Sequence, residues 1–92
     1  MALSWPAKDP QANKDYALDW SALLADGETI TDSDWSVDPS GLVVGAGSII
    51  GSVCSVWLSG GMDGTAYKVT NTITTSRGLI DERTVTIKVK GQ

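Results

Sequence analysis

The sequence contains no histidine and only one cysteine, Cys54, among its 92 residues. Histidine is the side chain that most often moves protons near neutral pH, so histidine-based acid–base catalysis and histidine metal ligation are excluded. A single thiol cannot close a disulfide within the chain, and it cannot supply the ligand set of a zinc site. We therefore expect a fold that is stable without cross-links, as in proteins made in a reducing cytosol.

Long apolar runs and clustered positive charge are also missing. No segment approaches the roughly 20 apolar residues that span a bilayer. The first residues lack the basic start and apolar run of a signal peptide, so we expect the mature chain to begin at or near Met1. The net charge is −4, and only Lys88 and Lys90 stand close together among seven Lys and Arg residues. Neither nucleic acid nor a membrane is expected as a partner.

Helical periodicity is lacking too, and alternation of apolar and polar residues takes its place. A period of two is typical of strands with one buried face. The predicted inward sets are Tyr16, Leu18, Trp20 and Ala22; Cys54, Val56 and Leu58; Tyr67, Val69, Asn71 and Ile73; and Val85, Ile87 and Val89. This phase places Trp57 on an outer face, where a large apolar side chain needs an explanation.

Turn signals separate these segments. Asp26-Gly27, 38–41 and 76–78 carry the Gly, Pro and Asp residues of tight turns. We predict a bulge or break at 32–34, a short strand at 42–44, a bend at 45–47, and an extended segment 48–59 broken at Gly51. Tyr67 enters its strand from a glycine-rich turn, which is typical of a tyrosine corner.

The fold class indicated is all-β, an immunoglobulin-like antiparallel β-sandwich of about six or seven strands, covering 15–92. Residues 1–14 lack a helix or strand period and are predicted to form an extended N-terminal arm. The arm carries Trp5, which is costly to leave in water. Packing of the arm on its own domain and docking on a neighbour both remain open.

Candidate chemical sites are weak. Asp15 and Asp19 are predicted to lie on one strand about 13 Å apart, too far for a carboxylate pair acting directly on one bond in most glycosidases. The acids at 32–34 with Asp63 could supply calcium ligands, but the EF-hand spacing is absent. Segment 60–64 lacks the Gly-Lys-Ser/Thr ending of a phosphate loop and is predicted to be a turn. We expect no catalytic residue, no metal site and no cofactor.

Arg83 and the tryptophans are the more informative side chains. Arg83 is in the inward phase, so it must pair with an acid such as Asp19, cap carbonyl groups at the end of the sandwich, or serve an interface. Four tryptophans are many for a thin sandwich, and tryptophan is enriched at interface hot spots. The predicted protein-interface residues are Trp5, Pro6, Pro10 and Trp57. Stacking of sugars on exposed aromatic rings is the minor alternative.

Five segments resemble the small immunoglobulin-like structural proteins of tailed bacteriophages, the fibre–tail adaptor proteins. They are KDP at 8–10, DWSALLADGETI at 19–30, VWLSGG at 56–61, GTAYKVTNTITT at 64–75 and DERTVTIKV at 81–89. The order and spacing of these segments carry the similarity, which spans roughly 8–90.

The resemblance implies a non-enzymatic virion protein assembled in the bacterial host cytoplasm. It implies many copies in a symmetric assembly, in contact with tail, fibre or capsid subunits. A tail–fibre junction is the first choice. A capsid decoration or cementing protein is the nearest alternative, and a small glycan-binding module is a more distant one.

Overall fold

A computed structural model of the protein describes residues 3–91, and their regular elements are all strands. The strands are β1 (Leu3–Ser4), β2 (Lys14–Asp19), β3 (Ile30–Asp38), β4 (Leu42–Ile50), β5 (Val53–Gly60), β6 (Ala66–Thr75) and β7 (Ile80–Lys88). The all-β prediction and the expected number of strands are confirmed. Within 3–91 no helix is long and apolar enough to cross a membrane.

The strands form two sheets that pack face to face. One sheet has four strands in the order β1-β7-β6-β3, and the other has three in the order β2-β5-β4. All pairings are antiparallel except that of the short β1, which runs parallel to β7. Two clusters of buried side chains fill the space between the sheets. This is the two-layer arrangement of a β-sandwich.

The inward sets predicted for β5, β6 and β7 are all buried. On β2 the prediction is correct for Leu18 and for Trp20, which follows the strand, and Tyr16 is partly buried. It is wrong for Ala22. The strand ends at Asp19, and Ala22 lies exposed in the turn that follows.

The expected bend at 45–47 is also wrong, because β4 continues through it as one strand of nine residues. A bulge at Gly45 and Ala46 takes the place of the bend. Val44 pairs with Leu58 and Gly47 with Val56, so two residues of β4 oppose the single residue Trp57. A bulge keeps the strand extended while shifting its phase by one residue.

The bulge or break predicted at 32–34 lies just before these residues, which pair regularly with β6. The register of β3 against β6 shifts between Ile30 and Asp32. Ile30 is buried, and Trp35 and Val37 are partly buried after the shift. The extra residue therefore lets both halves of β3 direct apolar side chains into the sandwich.

Residues 3–8 run along the edge of β7. The Trp5 amide donates to the Thr86 carbonyl at 3.0 Å, and the Lys8 amide donates to the Lys88 carbonyl at 2.8 Å. The Lys90 amide donates back to the Lys8 carbonyl at 2.8 Å. Of the two alternatives left by the sequence, the structure has this segment packed on its own domain.

Candidate protein interface

The outer face of the three-stranded sheet has a tryptophan at its centre. Trp57 on β5 lies beside Asp15 on β2 and beside the bulge of β4, and its side chain is 46% exposed. We call the outward residues of β2, β4 and β5 the Trp57 face. Its other uncharged members are Ala17, Val43, Ser48, Ile50, Val53, Ser55 and Ser59, and its charged members are Asp15 and Asp19.

The bulge explains why Trp57 is not covered by its neighbouring strand. A side chain at Gly45 would bring its Cβ within 3.2 Å of the Trp57 carbonyl oxygen and 3.4 Å of the Trp57 Cβ. Glycine at this position allows β4 to pass close to Trp57 without shielding it. Val43 and Ile50, 56% and 73% exposed, extend the apolar surface toward the two ends of β4. The hydroxyls of Ser48 and Ser55, 2.6 Å apart, lie between Trp57 and Ile50, so the face combines exposed apolar side chains with polar groups. Exposed apolar surface beside polar groups is typical of protein interaction sites.

The outer face of the four-stranded sheet has a different composition, and we call the outward residues of β3, β6 and β7 the threonine face. The hydroxyls of Thr70 and Thr84 lie 2.9 Å apart across β6 and β7. Lys68 lies between Asp38 and Thr86 in the register. Threonine and paired charges form the solvated surface expected of a sheet with one face in water.

The strand edges differ in the same way. The free edge of β7 is covered by residues 3–8, β3 carries three aspartates, and β2 carries Lys14, Asp15 and Asp19. The nine residues of β4 include neither a charge nor a proline. Charges, prolines and bulges are the usual means of preventing edge strands from pairing with other chains. Of these, β4 has only its bulge, whereas β3 has a bulge and three aspartates, so the edge of β4 is the least protected of the described strand edges.

The predicted interface residues lie in two separate places. Trp5 is partly buried and stacks on Tyr16, with ring centroids 4.8 Å apart, and its ring also lies 6.3 Å from Trp35. Pro6 is exposed and Pro10 is half-buried, both on the segment that follows the β7 edge. Within the domain Trp5 already has partners, whereas Trp57 faces outward.

A closed polar network occupies the end of the sandwich around Trp20. The indole N–H of this fully buried residue donates to Asn71 Oδ1 at 2.9 Å. Asn71 Nδ2 in turn donates to Ser33 Oγ at 2.8 Å and to the Asp34 carbonyl at 3.0 Å. A buried network of this kind is stabilising because each donor has an acceptor.

Arg83 completes this end of the domain. Its guanidinium lies 4.4 Å from the centroid of the Trp20 ring and donates to the Asp19 carbonyl at 3.0 Å. Of the roles considered from the sequence, the structure supports capping of a carbonyl group, and a cation–π contact is added to it.

The acidic residues are not gathered into a metal site. In the part of the chain that the structure describes, no three His, Cys, Asp or Glu residues are grouped to hold a metal ion. Asp63 Oδ1 accepts from the Gly91 amide at 2.7 Å. The acids at 32–34 and Asp63, considered from the sequence as calcium ligands, are thus not brought together in one group.

Glu28 has a structural role. It lies in the connection between β2 and β3 and forms an ion pair with Arg77, with Nε and Oε2 3.0 Å apart. Its other oxygen accepts from the Ala25 amide at 2.7 Å. The Arg77 guanidinium and the Ala25 amide, with the Thr75 side chain nearby, lower the pKa of Glu28 to about 2. This pair joins the β2–β3 connection to the β6–β7 turn.

The remaining predicted elements have structural partners as well. Tyr67 Oη accepts from the Met62 amide at 2.9 Å, which is the contact expected of a tyrosine corner and holds the 60–64 turn. Cys54 is fully buried on β5 between Leu18 and Ile49 of the flanking strands. Burial raises the pKa of the Cys54 thiol, which disfavours the reactive thiolate.

Sequence reasoning missed the burial of two charged residues, Glu28 and Lys8. Lys8 is the more deeply buried of the two. Its side chain is fully buried, and Nζ donates to the Gly60 carbonyl at 2.7 Å and to the Asp9 carbonyl at 2.9 Å. Burial lowers the pKa of Lys8, and the neighbouring Asp9 carboxylate partly opposes the shift. The sequence around Lys8 does not indicate burial, because the Gly60 carbonyl that Nζ binds is 52 residues away in the chain.

Comparisons with known proteins give a family and a fold. The model of the family described as "Podophage GP4 fiber-tail adaptor protein gp77" matches residues 8–88. No curated protein sequence matches the chain. A similar solved structure is the solution structure of the PKD domain from KIAA 1837 protein. It has 24% sequence identity and a TM-score of 0.57, and the match covers 99% of this chain and 86% of that one. At this identity the likeness establishes the immunoglobulin-like sandwich alone.

Proposed function

Because the chain belongs to the podophage GP4 fiber-tail adaptor protein gp77 family, we propose that it joins tail and fibre components of a phage virion through the Trp57 face. In this role it is a non-enzymatic structural protein. It is assembled into the particle in the bacterial host cytoplasm, in many copies arranged by the symmetry of the tail. The predicted division into an arm, 1–14, and a sandwich, 15–92, stays part of this proposal.

One observation carries the choice of surface. Trp57 has 46% of its side chain exposed at the centre of a sheet face whose only charges are Asp15 and Asp19. Interfaces place aromatic anchors at the centre and polar groups at the rim, and tryptophan is among the residues that contribute most to binding. The Trp57 face has this arrangement. Trp5 and the prolines of the N-terminal segment lie elsewhere, and we propose for them a supporting contact.

The surface also favours a partner with a basic rim. Asp15 lies directly beside Trp57 in the register, and Asp19 lies farther along β2. An arginine or lysine of the partner beside its tryptophan-binding pocket would meet Asp15 and fix the orientation of the contact.

The test uses phage particles assembled in a host that supplies variants of this protein in place of the natural gene. Trp57→Ser is expected to lower the amount of the protein per particle by roughly 30-fold at limiting expression, because loss of a hot-spot side chain costs about 2 kcal/mol or more. Ile80→Ser is the matched control, since Ile80 is 67% exposed on the threonine face. Quantitative mass spectrometry of purified particles measures both variants.

The outcome separates the proposal from its alternatives. Trp57→Ser at the wild-type level in particles with a full set of fibres would contradict the role of the Trp57 face. Location of the protein on the capsid surface instead of the tail would support the decoration alternative. Absence of the wild-type protein from purified particles would overturn the adaptor role altogether.

A further inference from the structure

A cleft of about 370 Å³ lies between β3 and β4, which are consecutive strands in different sheets. Its walls include Asp32, Trp35, Gly47 and Ile49. Both flanking strands are at the edges of their sheets, β3 beside β6 and β4 beside β5. The cleft therefore opens onto two rows of backbone groups that are outside the sheet ladders.

The side chain of Trp35, next to this cleft, is not fully hydrogen-bonded. Its Nε1 atom is buried without a hydrogen-bond partner among the described residues, in contrast to the paired N–H of Trp20. The indole lies against Gly47, where a Cβ would be 3.5 Å from both Nε1 and Cδ1. A buried donor without an acceptor destabilises the folded protein, because its hydrogen bonds to water are lost and not replaced. Such a donor beside an open strand edge points to a missing layer of structure.

The two walls of the cleft differ in charge, and this difference indicates which kind of polypeptide segment can bind there. Asp32 lies on the β3 side, with Asp34 and Asp38 farther along the same strand. The β4 side is uncharged, and Ile49 is 39% exposed toward the cleft. A fitting segment is extended, presents an apolar side chain to Ile49 and carries a basic side chain toward Asp32.

A second copy of this chain does not fit these requirements. The nine residues of a second β4 carry no charge, so pairing of β4 with its own copy would bring no positive charge to Asp32.

We propose that this cleft binds a short extended segment of a partner virion protein, which adds as a strand to the free edge of β4 and places a basic side chain at Asp32. Strand addition of this kind derives its affinity from backbone hydrogen bonds and its specificity from side-chain pockets. The proposal rests on the adaptor role and names a second contact surface for it, separate from the Trp57 face.

Hydrogen exchange tests the strand addition directly. The wild-type protein is measured free and in purified particles, and peptides from β4 are compared with peptides from the other edge of the same sheet, β2. The proposal expects exchange in β4 to slow by at least about tenfold on assembly, with a much smaller change in β2. Equal exchange of β4 in the free and assembled protein would overturn it.

A matched pair of variants tests the charge. Asp32→Asn is expected to lower occupancy in particles several-fold and to weaken its dependence on salt, because the partner's basic group loses its acid. Asp38→Asn is the control, since Asp38 is on the same strand but lies beside Lys68. Equal effects of the two substitutions would count against a basic side chain at Asp32.

Two further outcomes distinguish failure of the proposed strand addition from failure of the adaptor role. If Trp57→Ser abolishes occupancy while β4 stays unprotected in particles, the adaptor role stands and strand addition is wrong. If the free protein forms dimers in which β4 is already protected, the occupant is a second copy and the proposed partner is wrong. Particles that lack the protein would overturn the adaptor role as well.

Discussion

Two groups of structural features in this sandwich differ in how completely they are covered or paired. In the first group, the β7 edge is covered by residues 3–8, the four-stranded sheet has its threonine face in water, and the Trp20 N–H has its acceptor. In the second group, the β4 edge is uncharged, the three-stranded sheet exposes Trp57, and the Trp35 N–H has no acceptor among the described residues. We infer that the first group contributes most to stability and that the second group provides the capacity to bind partners.

The sharpest way to break this comparison is to truncate one tryptophan from each group. Trp20→Ala removes a fully buried indole with its hydrogen bond and is expected to lower the free energy of unfolding by about 3–5 kcal/mol. Trp57→Ala is expected to change it by less than about 1 kcal/mol, because the ring packs only against the surface. Urea unfolding followed by circular dichroism measures both. Comparable losses would mean that the exposed face stabilises the domain as much as its core.

Removal of the Trp5 ring tests the cover on the β7 edge. Trp5→Ala deletes the stack on Tyr16, and we expect a loss of about 1–3 kcal/mol in the free energy of unfolding. Amide exchange should rise mainly at residues 84–89, whose edge the segment covers. Pro6→Ala, at an exposed position of the same segment, is the control. Unchanged exchange in β7 after Trp5→Ala would show that the backbone bonds alone hold the segment.

The cation–π contact at the Trp20 end is a smaller test. Arg83→Gln removes the guanidinium above the ring and is expected to cost about 1 kcal/mol. Lys88→Gln, which removes an exposed positive charge from the same strand, should have almost no effect. Denaturation midpoints of the two variants decide the point. An equal shift for both would mean that net charge, and not contact with Trp20, accounts for the loss.

The smallest effect is expected from the Glu28–Arg77 pair, because Arg77 is largely exposed and water screens the interaction. The pKa of Glu28 is lowered from 4.5 to about 2 in the folded protein. The carboxylate therefore stabilises the fold above pH 4.5, and this contribution is lost as the pH falls from there toward 2. Glu28→Gln should flatten that part of a plot of stability against pH. If the stability of Glu28→Gln still falls as in the wild type between pH 4.5 and 2, another carboxylate is responsible for the loss.

Much of the fold follows from a period of two in the sequence. Cys54, Val56 and Leu58 alternate with Trp57, and the structure buries the first set and exposes Trp57. The inward phase of Arg83 likewise required a partner, although the choice between a carboxylate and a carbonyl depended on how the strand ends meet in space. Patterns within a strand are local, so they can be derived without the topology.

The features that were missed depend on neighbours distant in the chain. Burial of Lys8 requires the Gly60 carbonyl, and exposure of the β4 edge requires the order of the sheet. The glycines at 45 and 47 permit a bend and a bulge equally, and pairing with β5 decides between them. The cleft lined by Trp35 could not be derived either, because two edges from different sheets form it.

The rate at which a reagent labels the single buried thiol can report how often this sheet opens. Cys54 lies on the central strand of its sheet, between Leu18 of β2 and Ile49 of β4. A thiol reagent can reach it only when a neighbouring strand detaches or when the domain unfolds. The labelling rate of Cys54 therefore measures the opening of this sheet without an introduced probe. A lower rate in the particle than in the free protein would show how strongly assembly suppresses this opening.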